Sequence, residues 1–237
     1  MLYWQYILLG IVLLPGIILA AVAQAKVNSA YHYFSKVKAK SGIKAKDAAR
    51  QVLDGANLES VTINVIHGKL TDNYNPSKNC VSLSEEVAES DSIAALGIAL
   101  HEVGHAIQHN RKYFPAKLRN GAVRFTNFVS TLLWPMVILG ILFNFLWLDG
   151  LWGMIFILAG VVFFFLAIVI NLITLPVEYN ASNRALKILK ETQILDSTEL
   201  PGCRKVLRAA GLTYVAALVM GVLNLVRFLL LVIISRD

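Results

Sequence analysis

The chain has 237 residues, 57% of them hydrophobic and only 16% charged, with a formal net charge of +7. A soluble domain keeps about a quarter of its residues charged, so this composition excludes a disordered chain, a collagen and a disulfide scaffold and points to a membrane protein. The basic residues flank apolar runs instead of alternating with aromatics along a polar surface, which argues against nucleic acid and for a lipid bilayer as partner.

Apolar runs long enough to cross about 30 Å of hydrocarbon are predicted at residues 5–25, 126–148, 151–175 and 209–234. The first carries Pro15-Gly16 and ends in small residues, Ala20 to Ala25, like a secretory signal with an Ala-x-Ala cleavage site. Its start has no positive charge, however, and Lys26, Lys36, Lys38 and Lys40 follow it and resist translocation, so residues 1–25 read as an uncleaved span.

Residues 26–124 read as a small α+β segment. Tyr31 to Asp54 is expected to be helical and basic, with Asp47 to Leu53 turned partly inward. Val61, Ile63 and Val65 alternate with Thr62 and Asn64 as a strand, and Cys80 to Ser84 form a second strand beyond the turn-rich Asp72 to Asn79. Ser84 with Glu85, Glu86 and Glu89 opens a helical stretch, and Asp91 or Ser92 is placed to cap a helix running to about Asn110.

That helix contains His101-Glu102-Val103-Gly104-His105, an H-E-x-x-H pattern that sets two imidazoles one turn apart on one face, both within reach of one Zn²⁺. Glu102 is placed to act as general base and then to hand its proton to the leaving amine. With five His and eight Glu in the chain, chance produces this pattern in only about four of a thousand such chains. His109, a further turn along, lies about 12 Å from His101 along the axis, too far to share the ion, and reads as a surface histidine.

The next two spans, joined at Asp149-Gly150, form a hairpin over residues 126–175, and a polar helical stretch starting at Pro176 occupies 176–208 before the last span. Fourteen of the 22 Lys and Arg lie between Lys26 and Arg124 and six between Arg184 and Arg208, so both segments are expected in the cytoplasm, with Asp149 and both termini outside. Two carboxylates compete as third metal ligand. Glu178 returns to the histidine side through the hairpin, whereas Asp149, in Leu148-Asp149-Gly150, resembles the ligand motif of site-2 intramembrane proteases but falls on the outer side. The topology favours Glu178. Asn144, Asn171, Asn224 and Arg227 within spans suit a transport path, but helix-to-helix bonding and snorkelling explain them more simply. Cys80 and Cys203 lack metal spacing and are expected to be free thiols in a reducing compartment.

Gly68 to Tyr74, Leu83-Ser84, Ser92 to Gly97, His101 to His109, Leu175 to Ser182 and Thr213 to Ala217 together resemble the YugP-type family of membrane-bound neutral zinc metallopeptidases, distantly similar to HtpX-type and CAAX-prenyl endopeptidases. The resemblance covers nearly the whole chain. It implies a mainly α, four-span helical membrane protein with a small α+β zincin-like cytoplasmic domain of gluzincin type. One Zn²⁺ per chain would be held by His101, His105 and Glu178, with Glu102 as base and a protein or peptide as substrate. HtpX-type enzymes place an Asp four residues after the ligand Glu; here Ser182 stands there, and Ser182 or Asn180 is the candidate to orient a histidine. In the distant relatives an extended substrate adds to an edge strand, a part the strand around Val81 to Ser84 is expected to play. Tyr179, Tyr214, His67 and Arg184 are candidate oxyanion donors. The competing classes are a site-2-like protease, an adaptor with a structural zinc, and a transporter.

Overall fold

The structure is a computed structural model that describes residues 9–122 and 150–234. The expected second span at 126–148, the start of the first span, Asn144 and Asp149 lie outside the described residues. In chain order the elements are α1 (Leu14–Phe34), α2 (Ala45–Gly55), β1 (Thr62–Ile66), β2 (Asn73–Asn75), β3 (Cys80–Ser84), α3 (Glu85–Ala88), α4 (Ile93–Asn110), α5 (Gly150–Glu191) and α6 (Leu200–Ile234).

The chain divides into two units. The first comprises Met1–Ala21, Leu118–Thr174 and Tyr214–Asp237. Many of its described side chains are large, apolar and exposed: Ile18 is 61% exposed, Phe165 57% and Leu172 52%. In water such a surface would be a severe liability, whereas hydrocarbon is its natural solvent. Three helical stretches, Leu9–Phe34, Val161–Glu191 and Leu200–Arg227, are long and apolar enough to cross a bilayer. Within the second of these no charge occurs before Glu178, and within the third none occurs between Arg208 and Arg227. Asn171 and Asn224 donate to the carbonyls of Ala167 and Met220 on their own helices, and Arg227 is exposed. Each amide is thus satisfied one turn back, by its own helix.

The second unit comprises Val22–Lys117 and Leu175–Thr213. Its core packs Leu53, Val81, Leu83, Leu96, Leu100 and Val103 with Leu189, Ile194 and Leu195, so side chains distant in sequence share one interior. Ser92 caps α4 by accepting the backbone N–H of Ala95 at 3.2 Å. Cys80 and Cys203 are both free and buried, and burial pushes the Cys203 thiol up to about 12.

Three expectations need correcting here. The Tyr31 to Asp54 stretch is not one helix: α1 ends at Phe34, and Gly42, at φ +63°, turns the chain into α2. The strand order is β1-β3-β2, with β3 parallel to β1 and antiparallel to β2. β3 is therefore central and not an edge strand: Cys80, Val81 and Ser82 are paired on both sides, and only Leu83 and Ser84 lack a strand partner on the β2 side. Finally, the third span and the polar stretch after it form one 42-residue helix that runs through Pro176. The proline removes one backbone donor, the bond Leu172 would have accepted, and the rest of the ladder carries the helix on.

Candidate metal centre

The site is built where α4 meets the polar part of α5, entirely within the second unit. The two backbones come very close. A Cβ placed on Gly104 would lie 2.8 Å from the carbonyl oxygen of Ala181, nearer than packed atoms approach, so only glycine admits this contact. One helical turn before Ala181 stands Glu178, 3% exposed, and its Oε2 lies 3.2 Å from His101 Nε2 and 3.5 Å from His105 Nε2. The two Nε2 atoms are themselves 3.2 Å apart.

These separations test the donor set. Three ligand atoms about 2.0–2.1 Å from a tetrahedral zinc stand roughly 3.3–3.4 Å from one another, and the observed 3.2, 3.2 and 3.5 Å bracket that value. Among the described residues, His101, His105 and Glu178 form the group able to hold a metal ion. The residues fit zinc by element type, number and spacing.

What lies behind the histidines fixes which nitrogen faces the site. Gln108 is fully buried, and its Nε2 donates to the Val177 carbonyl at 2.8 Å and to Asn180 Oδ1 at 3.0 Å. A backbone carbonyl can only accept, so the Gln108 amide oxygen must turn towards His105 Nδ1, 3.0 Å away. His105 Nδ1 therefore carries the proton and its Nε2 keeps a lone pair for the site. Asn180 Oδ1 also accepts from Arg184 Nε at 2.7 Å, which anchors the far end of the relay. For the other imidazole, Ser182 Oγ lies 3.1 Å from His101 Nδ1, so of the two candidates the sequence offered, Ser182 is the one in direct contact with a histidine. Asn180 acts one residue further out, through Gln108. Gln108 itself was missed, although it follows His105 by three positions and so shares its helix face.

Burial alone would raise the Glu178 carboxyl, but its polar contacts with His101 and His105 outweigh burial and hold it below the usual carboxylate range. Glu102 is 9% exposed, and its carboxylate makes no hydrogen bond or ion pair among the described residues. The residue is largely buried, but its carboxylate oxygens are not sealed from water, an arrangement chemically able to exchange a proton with a water molecule.

The remaining sequence candidates are placed elsewhere. His109 Nδ1 meets the Tyr74 hydroxyl at 3.0 Å and ties α4 to β2. His67 pairs with Glu85, Arg184 with Asn180, and Tyr179 packs near Gly211. Tyr214 falls in the first unit.

The chain matches, over residues 9–233, the family described as "Putative neutral zinc metallopeptidase". It is 40% identical over 215 residues to "Putative membrane protease YugP" of Bacillus subtilis (strain 168), an alignment covering 91% of this chain and 92% of that one. No solved structure matches it. The chain thus belongs to this family of membrane-associated neutral zinc metallopeptidases.

Proposed function

We propose that the protein is a membrane zinc metalloendopeptidase of gluzincin type that hydrolyses peptide bonds at the cytoplasmic face of the bilayer. The observation that carries this reading is the convergence of His101 Nε2, His105 Nε2 and Glu178 Oε2 at zinc-ligand spacing beside a buried, unengaged Glu102. His101, His105 and Glu178 would hold one zinc, which when bound polarises a scissile carbonyl and makes a water more acidic. Ser182 and Gln108 hold the imidazoles so that Nε2 faces inward. Glu102 takes the proton of the attacking water on its carboxylate and releases it to the leaving amine.

The experiment is to exchange Glu102→Gln in the full chain and follow zinc content and cleavage of an unfolded protein together. The exchange removes the base but no ligand, so zinc stays and cleavage falls by several orders of magnitude. Undiminished cleavage overturns the mechanism; an inactive, zinc-loaded wild type speaks for the adaptor. That alternative is disfavoured by the donor count, because structural zinc takes four protein ligands and three are grouped here. The site-2-like alternative is disfavoured because Glu178 already completes the group.

The reading includes four spans, with 1–25, 126–175 and 209–234 in the membrane and 26–124 and 176–208 in the cytoplasm, on the strength of the charge distribution. The native cysteines are buried and silent, so the orientation is tested with Glu59→Cys, at an exposed position. An impermeant thiol reagent is expected to label it only after permeabilisation; labelling of intact cells overturns the orientation.

A further inference from the structure

A groove of about 1280 Å³ runs between α1 and α6 within the second unit. Its cationic lining is Lys26 from α1 with Lys205 and Arg208 from α6, and no Asp or Glu lines it. Among the described residues none of these three cations makes an ion pair or hydrogen bond. Several other cations of the same unit do pair, Lys38 with Asp91, Lys40 with Asp196, Lys44 and Lys46 with Glu89, and Lys69 with Glu86; what sets these three apart is that they face one concavity that holds no acid. Three like charges facing one concavity from two helices repel one another, and an anion in the groove would relieve that cost.

The rest of the lining says which anion. Val22 and Ala25 precede Lys26 on α1, and Ala209 and Leu212 follow Arg208 on α6. On both helices the uncharged run begins there: no charge precedes Lys26 in the chain, and none occurs between Arg208 and Arg227. In the other direction the lining is mixed, with Ser29 and Tyr33 beside Ala30 and Phe34 on α1 and Thr198 beside Pro201 at the start of α6. Each helix thus passes from an uncharged run to cations in the order a bilayer presents acyl chain and phosphate. A soluble phosphate or an acidic peptide has no use for the apolar end. We propose that this groove is a binding site for one anionic phospholipid, its phosphate held by Lys26, Lys205 and Arg208 and an acyl chain lying along Val22, Ala25 and Leu212. The site rests on the membrane reading of the chain and is independent of the zinc chemistry.

The test is native mass spectrometry of the full-length protein in detergent, titrated with phosphatidylglycerol, phosphatidylcholine or inorganic phosphate. The wild type is expected to retain one phosphatidylglycerol, at concentrations where phosphatidylcholine and inorganic phosphate do not bind. The combined exchange Lys26→Gln, Lys205→Gln, Arg208→Gln lowers that affinity about a hundredfold, roughly fivefold per charge. The matched exchange of three other exposed cations, Arg111→Gln, Lys112→Gln, Lys117→Gln, leaves it unchanged. Equal losses in both triple variants would reduce the effect to general surface charge, and binding of inorganic phosphate in competition with the lipid would make the site one for soluble anions; either overturns the proposal. If the groove triple variant melts early, Lys205→Gln alone, at an exposed position, serves in its place: a fivefold loss supports the site and no loss sinks it.

Discussion

Two groups of three ionisable side chains in the second unit, one on its surface and one between helices, differ in kind. On the surface, Lys44 and Lys46 both reach Glu89, a carboxylate held down to about 2 by hydrogen bonds from the two ammonium groups. That cluster balances itself, and water screens what remains. Between α4 and α5, His101, His105 and Glu178 meet largely out of water, with both Nδ1 positions engaged from behind and lone pairs turned on one another. Nothing within the trio neutralises it, so it is complete only around a cation. Proximity of charged groups is common; convergence that leaves a deficit is the mark of a site.

The largest break in that contrast is expected from Glu178→Ala. With two imidazoles left, zinc is lost on dialysis and cleavage with it, whereas Asp149→Asn keeps both; metal analysis of the extracted proteins reads the difference. Retention of zinc in the first and loss in the second would move the ligand to Asp149. Next comes Gln108→Ala, which touches no ligand position but frees the His105 ring to turn and leaves the Val177 carbonyl and Asn180 without their donor. Zinc affinity is expected to fall about 10–100-fold in a chelator competition, with Arg184→Ala weaker in the same direction. Unchanged affinity in Gln108→Ala would show that packing alone orients the ring.

Gly104→Ala forces a methyl against the Ala181 carbonyl and must part the helices. A loss of about 1–3 kcal/mol in stability is expected, with weaker zinc binding, measured by denaturant titration with and without metal. The smallest effect belongs to the surface cluster. Glu89 has a folded pKa below its unfolded value of 4.5, so its contribution is present above about pH 4.5 and disappears as pH falls through about 2. Glu89→Gln is therefore slightly less stable than the wild type at neutral pH and equal to it below pH 2, and added salt narrows the gap. A difference that persists at low pH would mean Glu89 acts through something other than its charge.

The sequence disclosed what is local. The one-turn spacing of His101 and His105, the Ser92 cap and the strand Cys80 to Ser84 depend on neighbours a few residues apart, and these are as expected. Glu178 was within reach because the expected hairpin of spans brings it back to the side of the histidines, and it does lie beside them. The order of the sheet was not, since β2 is three residues inside a turn-rich stretch and exists only by pairing with β3. The run of α5 through Pro176 was hidden for a related reason: a proline reads as a boundary, but a helix with tens of residues on either side tolerates one missing bond. Gln108 had a signal, its place on the His105 face, yet its role depends on Val177 and Asn180, which are about seventy residues away.

The approach of Ala181 to Gly104 also changes how the histidine pattern should be spelled. Written with two free letters between glutamate and the second histidine, it admits any residue at position 104, but a backbone 2.8 Å from where a Cβ would stand admits only one. The second blank is in effect filled. For chains that bring their third ligand on a helix packed this tightly, His-Glu-any-Gly-His is the working vocabulary. A library that randomises both blanks would discard nearly every member at that one letter, before any chemistry is sampled.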